Sequence, residues 1–438
     1  MPSGAIHSLL TRQVVGRLRA AQRERLRSEV EALCGTYCLY PDTYYGKPEE
    51  AAPYLCFIDG IPFHYPPHEA VEYNAWRMEG EGDAARLVAL PLSENVHHRH
   101  CRTAFHFYFE KIAASWRDGR IGEAARFIGA LCHVLQDNTL PVHALEGFDG
   151  IDIFALDRLM VPPTDRPFLV PSLLLGQLQP LDPGDSGHVP CLLGTSPAEA
   201  AFHGYTRFAG ATAANRLLIL PLVSALYAGD TAESDRLWRR MGRCTVDLLA
   251  DFLHTALAGG GGTGEFPADE KQKLERVPLE NVRPARRPRY LSAPYRFTPF
   301  LTGKSLDRDH NPVSLALHYQ GEHREYSHGL GFGGHAFFAF EYDLPPGVFR
   351  RLTGWLGLHA TLGRRGRVRM RWKHDGHTVW ESDFSATNQA RAFDLDVSAG
   401  GWWALEGEAL TSNPLASENQ MVLAEPLLVR KKSGPYPS

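Results

Sequence analysis

The stretch HVLQDNTLPVH, residues 133–143, decides how the chain is read. His133 and Asp137 stand four apart in the amphipathic run 124–138, so on a helix they project from one face, one turn apart. Pro141 then ends or bends that helix, and His143 follows in the turn, within reach of the same metal centre or its neighbour. Neutral imidazoles with a carboxylate are a donor set that zinc accepts at neutral pH. A helix carrying one structural polar stripe is the competing reading of the same residues.

Working outward, residues 108–145, YFEKIAASWRDGRIGEAARFIGALCHVLQDNTLPVHAL, resemble the zinc-dependent phospholipase C and S1/P1 nuclease superfamily. That family carries a His, a bridging Asp four residues on and a second His six further, behind a helix that ends in a proline turn. His133, Asp137, Pro141 and His143 reproduce the pattern, and a helical texture extends over roughly the first 255 residues. The resemblance implies an all-α metal-dependent hydrolase domain holding two or three zinc ions.

Composition bounds the rest. The chain has 438 residues, 44% of them hydrophobic and 22% charged, which accommodates two domains with cores of their own. A formal charge of −4 gives no general attraction to polyanions, so no stable nucleic-acid partner is expected. The first ten residues, MPSGAIHSLL, lack the marks of a signal peptide, and no later run is expected to span a membrane. Relatives in the superfamily are usually secreted, so the compartment is left open. All seven cysteines lie in the first 244 residues without regular spacing, a poor disulfide framework. Cys34 and Cys38, four apart, are read as two buried thiols rather than a bridge or a metal pair.

The remaining ligands come from the resemblance. His7 precedes a helix expected over 8–33, and relatives hold one zinc with a His at this point and the chain's own amino terminus. Removal of Met1 would make Pro2 that terminus, where mature relatives carry Trp. The alternative for His7 is a residue that merely precedes or caps the helix. In the loop-rich segment that follows, Asp42 in YPDTYY and His64 in PFHYPP match family ligands that complete the coordination of the His133 and Asp137 zinc. Asp42 has a second role as the base beside an activated water. Asp59 and His68 compete for these places and are read as loop polar groups.

The cluster HHRHC, 97–101, is not read as a metal site, because consecutive helical residues point in different directions. His98 with Arg102, or Arg99, is expected to meet phosphate or solvent, and His106 to pack in the core. On the next long helix, starting at Ser196 and Pro197, His203 stands where relatives complete a third zinc site with the His143 counterpart. Arg207 occupies the place of the acid. Glu199 or Glu146 is the substitute, or Arg207 itself meets a substrate phosphate. Two further helices are expected over 217–258.

Residues 1–258 are thus expected to form the helical phosphodiesterase domain, and 259–288 a Gly-rich and basic linker opened by GGGGTG. From 289 to 438 the texture is alternating: Val368, Met370 and Trp372 share one strand face, and Phe393, Leu395 and Val397 another. The expected fold is therefore multidomain, all-α followed by an all-β sandwich. The turn HGLGFGGHA, the Gly-Leu-His after a strand and the Asp-Gly hairpin followed by Trp resemble the NPCBM-type carbohydrate-binding module. That resemblance implies a glycan partner, with Trp402 or Trp403 as the stacking residue and at least one of the two in the core. The combined expectation is hydrolysis of a phospholipid head group or another phosphodiester. An S1/P1-like nuclease and a non-catalytic, zinc-stabilised glycan-binding protein are the alternatives.

Overall fold

A computed structural model describes residues 4–58, 60–63, 75–79, 86–90, 96–140, 182–259, 266–285, 289–290, 301–307, 309, 311–333, 337–385, 389–410 and 418–430. The chain divides into two units, Met1–Glu270 and Lys271–Ser438. Among the described residues the first is helical apart from two short hairpins. The second is an antiparallel β-sandwich.

The first unit opens with α1 (Gly4–Arg17), α2 (Ala20–Leu26) and α3 (Val30–Gly35), then a 3-10 turn at Tyr37–Leu39, α4 (Tyr40–Thr43) and α5 (Pro48–Ala51). The single helix expected over 8–33 is therefore broken in two places. Arg19 leaves the helical region with ψ 147°, yet Leu18, Leu26 and Leu33 are all buried. Leu18 turns inward between α1 and α2, as Leu26 does from α2 and Leu33 from α3, so the apolar spacing runs through both breaks and conceals them.

Four long helices follow among the described residues: α6 (Val96–Arg117), α7 (Ile121–Thr139), α8 (Pro197–Ala228) and α9 (Thr231–Gly259). Helix α7 is the central one. From Ala124 to Thr139 every residue except Arg126 is buried, including His133, Gln136, Asp137, Asn138 and Thr139. Its polar stripe thus faces the protein interior, and each polar group there must find a partner inside the fold. Gly129 lets α7 touch the 3-10 turn, since a Cβ at this position would lie 2.4 Å from the Tyr37 carbonyl carbon.

Helix α8 starts at an N-cap, with Ser196 Oγ accepting from the Glu199 N–H, and Pro197 sits in its first turn. It stops at Gly229, whose φ of 68° suits glycine. The two helices expected over 217–258 are in fact the end of α8 and the whole of α9. Pro221 does not end α8, and it lies on the exposed side of the helix.

The stretch expected as a linker, 259–288, carries structure of its own. It holds α10 (Ala268–Leu274) and a strand, Arg276–Pro278, that pairs with Gln420–Arg430 of the sandwich. Val277, Leu279 and Val282 are buried, which explains the departure: alternate apolar residues in this basic segment join a sheet.

In the sandwich, one sheet runs in the order Arg391–Asp396, Phe349–Leu358, Gln420–Arg430, Gly329–Gly333, Leu301–Thr302. The other runs His377–Ser385, Arg367–His374, Gly401–Ala409, Phe337–Leu344, Arg289–Tyr290. Aromatic rings interlock between them: Phe332 lies 5.1 Å from Phe338 and Trp372 lies 5.5 Å from Phe393. Val368, Met370, Trp372, Phe393, Leu395 and Val397 all face this core as their alternation predicts. The Asp375-Gly376 turn has φ of 46° and 84°, the left-handed pair that a two-residue hairpin requires.

Candidate metal centre

The interior stripe of α7 meets α1 and α4 at a cluster of four ionisable side chains. His7 of α1 and His133 of α7 stack with ring centroids 4.0 Å apart. Asp137, one turn beyond His133, lies between them. Its Oδ1 is 3.2 Å from His7 Nε2 and its Oδ2 is 3.1 Å from His133 Nε2. Asp42 of α4 approaches from the other side, with Oδ1 3.5 Å from His133 Nε2. Ligand atoms of His7, Asp42 and His133 all fall within 4.8 Å of one another.

The outer nitrogens of both rings are tied down. His133 Nδ1 is 2.7 Å from the main-chain oxygen of Cys38, in the 3-10 turn that Gly129 admits. His7 Nδ1 is 2.6 Å from Gln136 Oε1. A carbonyl oxygen can only accept, so each Nδ1 carries a proton, which leaves Nε2, the nitrogen facing the carboxylates, as the one a metal would take. That is how metal-binding histidines are held.

Donors about 2.0 Å from a tetrahedral zinc ion stand about 3.3 Å apart, and the nitrogen-to-oxygen separations found here bracket that value. The electrostatics agree with a cation site. Burial acts to depress the His133 pKa, but Asp137 and Asp42 outweigh it and raise the pKa to about 10. Burial acts to raise the Asp42 pKa, but the bond to His133 and the charges of His133 and His7 together outweigh it and leave it below the usual carboxylate range. Two carboxylates thus draw positive charge into the space between them. His7, His133 and Asp137 are fully buried while the Asp42 side chain is 23% exposed, so Asp42 is the member of the cluster that borders solvent.

The other sequence candidates fare differently. Pro2, Asp59, His64, His68, His143 and Glu146 lie outside the described residues. His203 is half-buried on α8, edge-on to Phe202, and does not join His7, Asp42 and His133 in their cluster. Glu199 is buried and accepts from the Thr195 N–H and hydroxyl, tying down the start of α8. Arg207 grips Asp251 of α9 through Nε and Nη2, at 3.1 and 2.6 Å. His188 and the Cys191 N–H bond the same buried carboxylate, so the charge of Arg207 is engaged within the protein.

Two histidines exchange the environments expected of them. His98 is buried beside Tyr205, whereas His106 is exposed, because α6 turns the 98, 101, 105, 108 face inward. All seven cysteines are free thiols. Burial pushes Cys34 up to about 11 and Cys38 to about 12, which keeps both protonated at neutral pH. In the sandwich, Trp403 is core and stacks on His374, while Trp402 is partly exposed with its indole N–H directed to Glu341.

Residues 297–405 match the NPCBM/NEW2 domain family. No curated protein matches the chain. A solved CBM51 domain from Clostridium perfringens GH95, in complex with methyl-galactose, is 13% identical with a TM-score of 0.29, covering 35% of this chain and 99% of that one. The M60 catalytic domain with two CBM51 domains from Clostridium perfringens ZmpB is 16% identical with a TM-score of 0.29. That match covers 35% of this chain and only 15% of the other. The alpha toxin of Clostridium absonum is 9% identical with a TM-score of 0.32, covering 99% of this chain and 95% of the toxin. The protein is accordingly a two-unit chain, helical and then β-sandwich, and the stretch that matches the NPCBM/NEW2 domain lies in the sandwich.

Proposed function

We propose that the chain is a zinc-dependent phosphodiesterase of the phospholipase C type, with an NPCBM domain that holds a glycan. One observation carries the reading: two buried imidazoles, each fixed at Nδ1 by a carbonyl oxygen, converge at Nε2 on Asp42 and Asp137. His7, His133, Asp42 and Asp137 are the residues that would hold the metal, two or three ions in all when His64, His143 and His203 contribute. Zinc supplies Lewis-acid polarisation of a phosphoryl oxygen and acidifies water.

The protein's own groups do the rest. Asp137 keeps both rings in register through its two oxygens. Asp42, on the solvent side, orients the attacking water and takes its proton as the new oxygen–phosphorus bond forms and the leaving alkoxide departs. Lipid is favoured over nucleic acid by the surroundings of Asp42. Tyr45, three residues on, is 72% exposed, and Phe57 is 40% exposed, with Tyr44 packed against both. A net charge of −4 offers a polynucleotide no compensating attraction.

The test is hydrolysis of phosphatidylcholine vesicles and of single-stranded DNA by the wild-type chain and Asp42→Asn. The reading expects diacylglycerol from the vesicles, lost in Asp42→Asn. Cleavage of DNA alone would move the assignment to a nuclease, and inertness toward both would leave the glycan-binding domain as the seat of function.

A further inference from the structure

We propose that Gln136 is a positioning residue for the metal centre, acting through His7 and itself aimed by Thr11. This inference rests on the zinc-dependent reading of the site. Gln136 lies on α7 between His133 and Asp137 in sequence and is fully buried, as is Thr11, one turn beyond His7 on α1. The amide joins the two helices. Its Oε1 is 2.6 Å from His7 Nδ1, and its Nε2 donates to Thr11 Oγ1 at 3.0 Å.

The two ends of an amide are not interchangeable, because Nε2 can only donate and Oε1 can only accept. With Nε2 engaged at Thr11 Oγ1, the amide presents Oε1 to His7. His7 must then carry its proton on Nδ1, and Nε2 keeps the lone pair that faces Asp137. The reversed amide would offer N–H to Nδ1, place the ring proton on Nε2 and close that donor to a metal. His133 is held in the same sense by the Cys38 main-chain oxygen, which replacing the Cys38 side chain does not remove. Gln136 is therefore the half of the device that depends on side-chain identity.

The experiment titrates the metal-stripped full-length chain with zinc against a competing chromophoric chelator. Variants are Gln136→Leu, which removes the acceptor, Gln136→Glu, which keeps an acceptor in place, and Thr11→Val, which leaves the amide unaimed. Gln136→Leu is expected to lose about 10- to 100-fold in zinc affinity at one site. Thr11→Val should lose less in the same direction, and Gln136→Glu should retain binding. Thermal unfolding of the metal-free proteins reports whether each variant folds. Should Gln136→Leu fail to fold, Thr11→Val and Gln136→Glu decide the matter.

Unchanged affinity in folded Gln136→Leu and Thr11→Val, or a loss in Gln136→Glu as large as that in Gln136→Leu, would overturn the role of Gln136 while leaving the zinc reading intact. A wild-type chain that binds no zinc would overturn both.

Discussion

Replacing Gly129 by alanine tests whether the close contact between α7 and the 3-10 turn holds the site together. A Cβ there lies 2.4 Å from the Tyr37 carbonyl carbon, 2.6 Å from its Cβ and 2.7 Å from its oxygen. The nearest of these falls about 1 Å short of ordinary carbon contact, and two of the three atoms are backbone, so the turn must move as a whole. Overpacking of this kind costs about 3 kcal/mol at the upper end. The gain in helix propensity from glycine to alanine offsets about 1 kcal/mol of it. A net loss of about 2 kcal/mol lowers the unfolding midpoint of a unit this size by roughly 4–8 °C.

The same displacement acts on the site. Moving the Cys38 oxygen by about 1 Å takes its 2.7 Å bond to His133 beyond hydrogen-bonding range, so zinc retention should fall together with the midpoint. Circular dichroism at 222 nm, where the helical unit dominates, reads the transition in the full chain. Gly210→Ala on α8 is the control, because its Cβ meets nothing within 4 Å, and propensity alone predicts a slight gain. A Gly129→Ala midpoint equal to or above that of the wild type would refute the reasoning.

Two other perturbations read separate parts of the molecule. Asp251→Ala removes the buried carboxylate that accepts from His188, the Cys191 N–H and Arg207; a loss of about 3 kcal/mol is expected in urea unfolding, and a loss below about 0.5 kcal/mol would show that the 182–195 segment is anchored by other means. In the sandwich, His359 places Nε2 on the Ser314 carbonyl and takes the Thr361 N–H at Nδ1, and burial lowers its pKa. The folded unit thus favours the neutral ring and the unfolded chain binds the proton more readily. This stabilisation is full above about pH 6.5 and is lost as pH falls below it. The pH dependence of sandwich unfolding should be flatter in His359→Gln, and parallel curves would exclude the ring as its source.

Much of this was legible before any coordinates. The four-residue spacing of His133 and Asp137 is a local property of one helix, and the strand alternation around Trp372 and Phe393 is equally local. His7 and Asp42 came from the family resemblance, and the fold brings both to the same cluster. What stayed hidden depends on tertiary neighbours. Gln136 and Thr11 are ordinary helix residues in sequence, and their roles exist only once α1 and α7 meet. The Cys38 carbonyl has no sequence signal, since its side chain takes no part. Asp251 sat in what reads as a packing helix, and the acid that engages Arg207 is 44 residues away. The breaks at Arg19 and Glu29 were masked by continuous apolar spacing, and the sandwich strand at Arg276–Pro278 by the basic residues around it. His98 and His106 show the limit of a face assignment made without the helix's neighbours: the sequence carries the period of α6, and the packing partners set its phase.

The central claim is that His7, Asp42, His133 and Asp137 form a zinc site, and the direct test is elemental analysis of the purified full-length chain beside Asp137→Asn. The account predicts more than one zinc per wild-type chain and a marked loss of zinc in a folded Asp137→Asn. Wild-type protein without zinc, or an Asp137→Asn chain that retains the full complement, would contradict it.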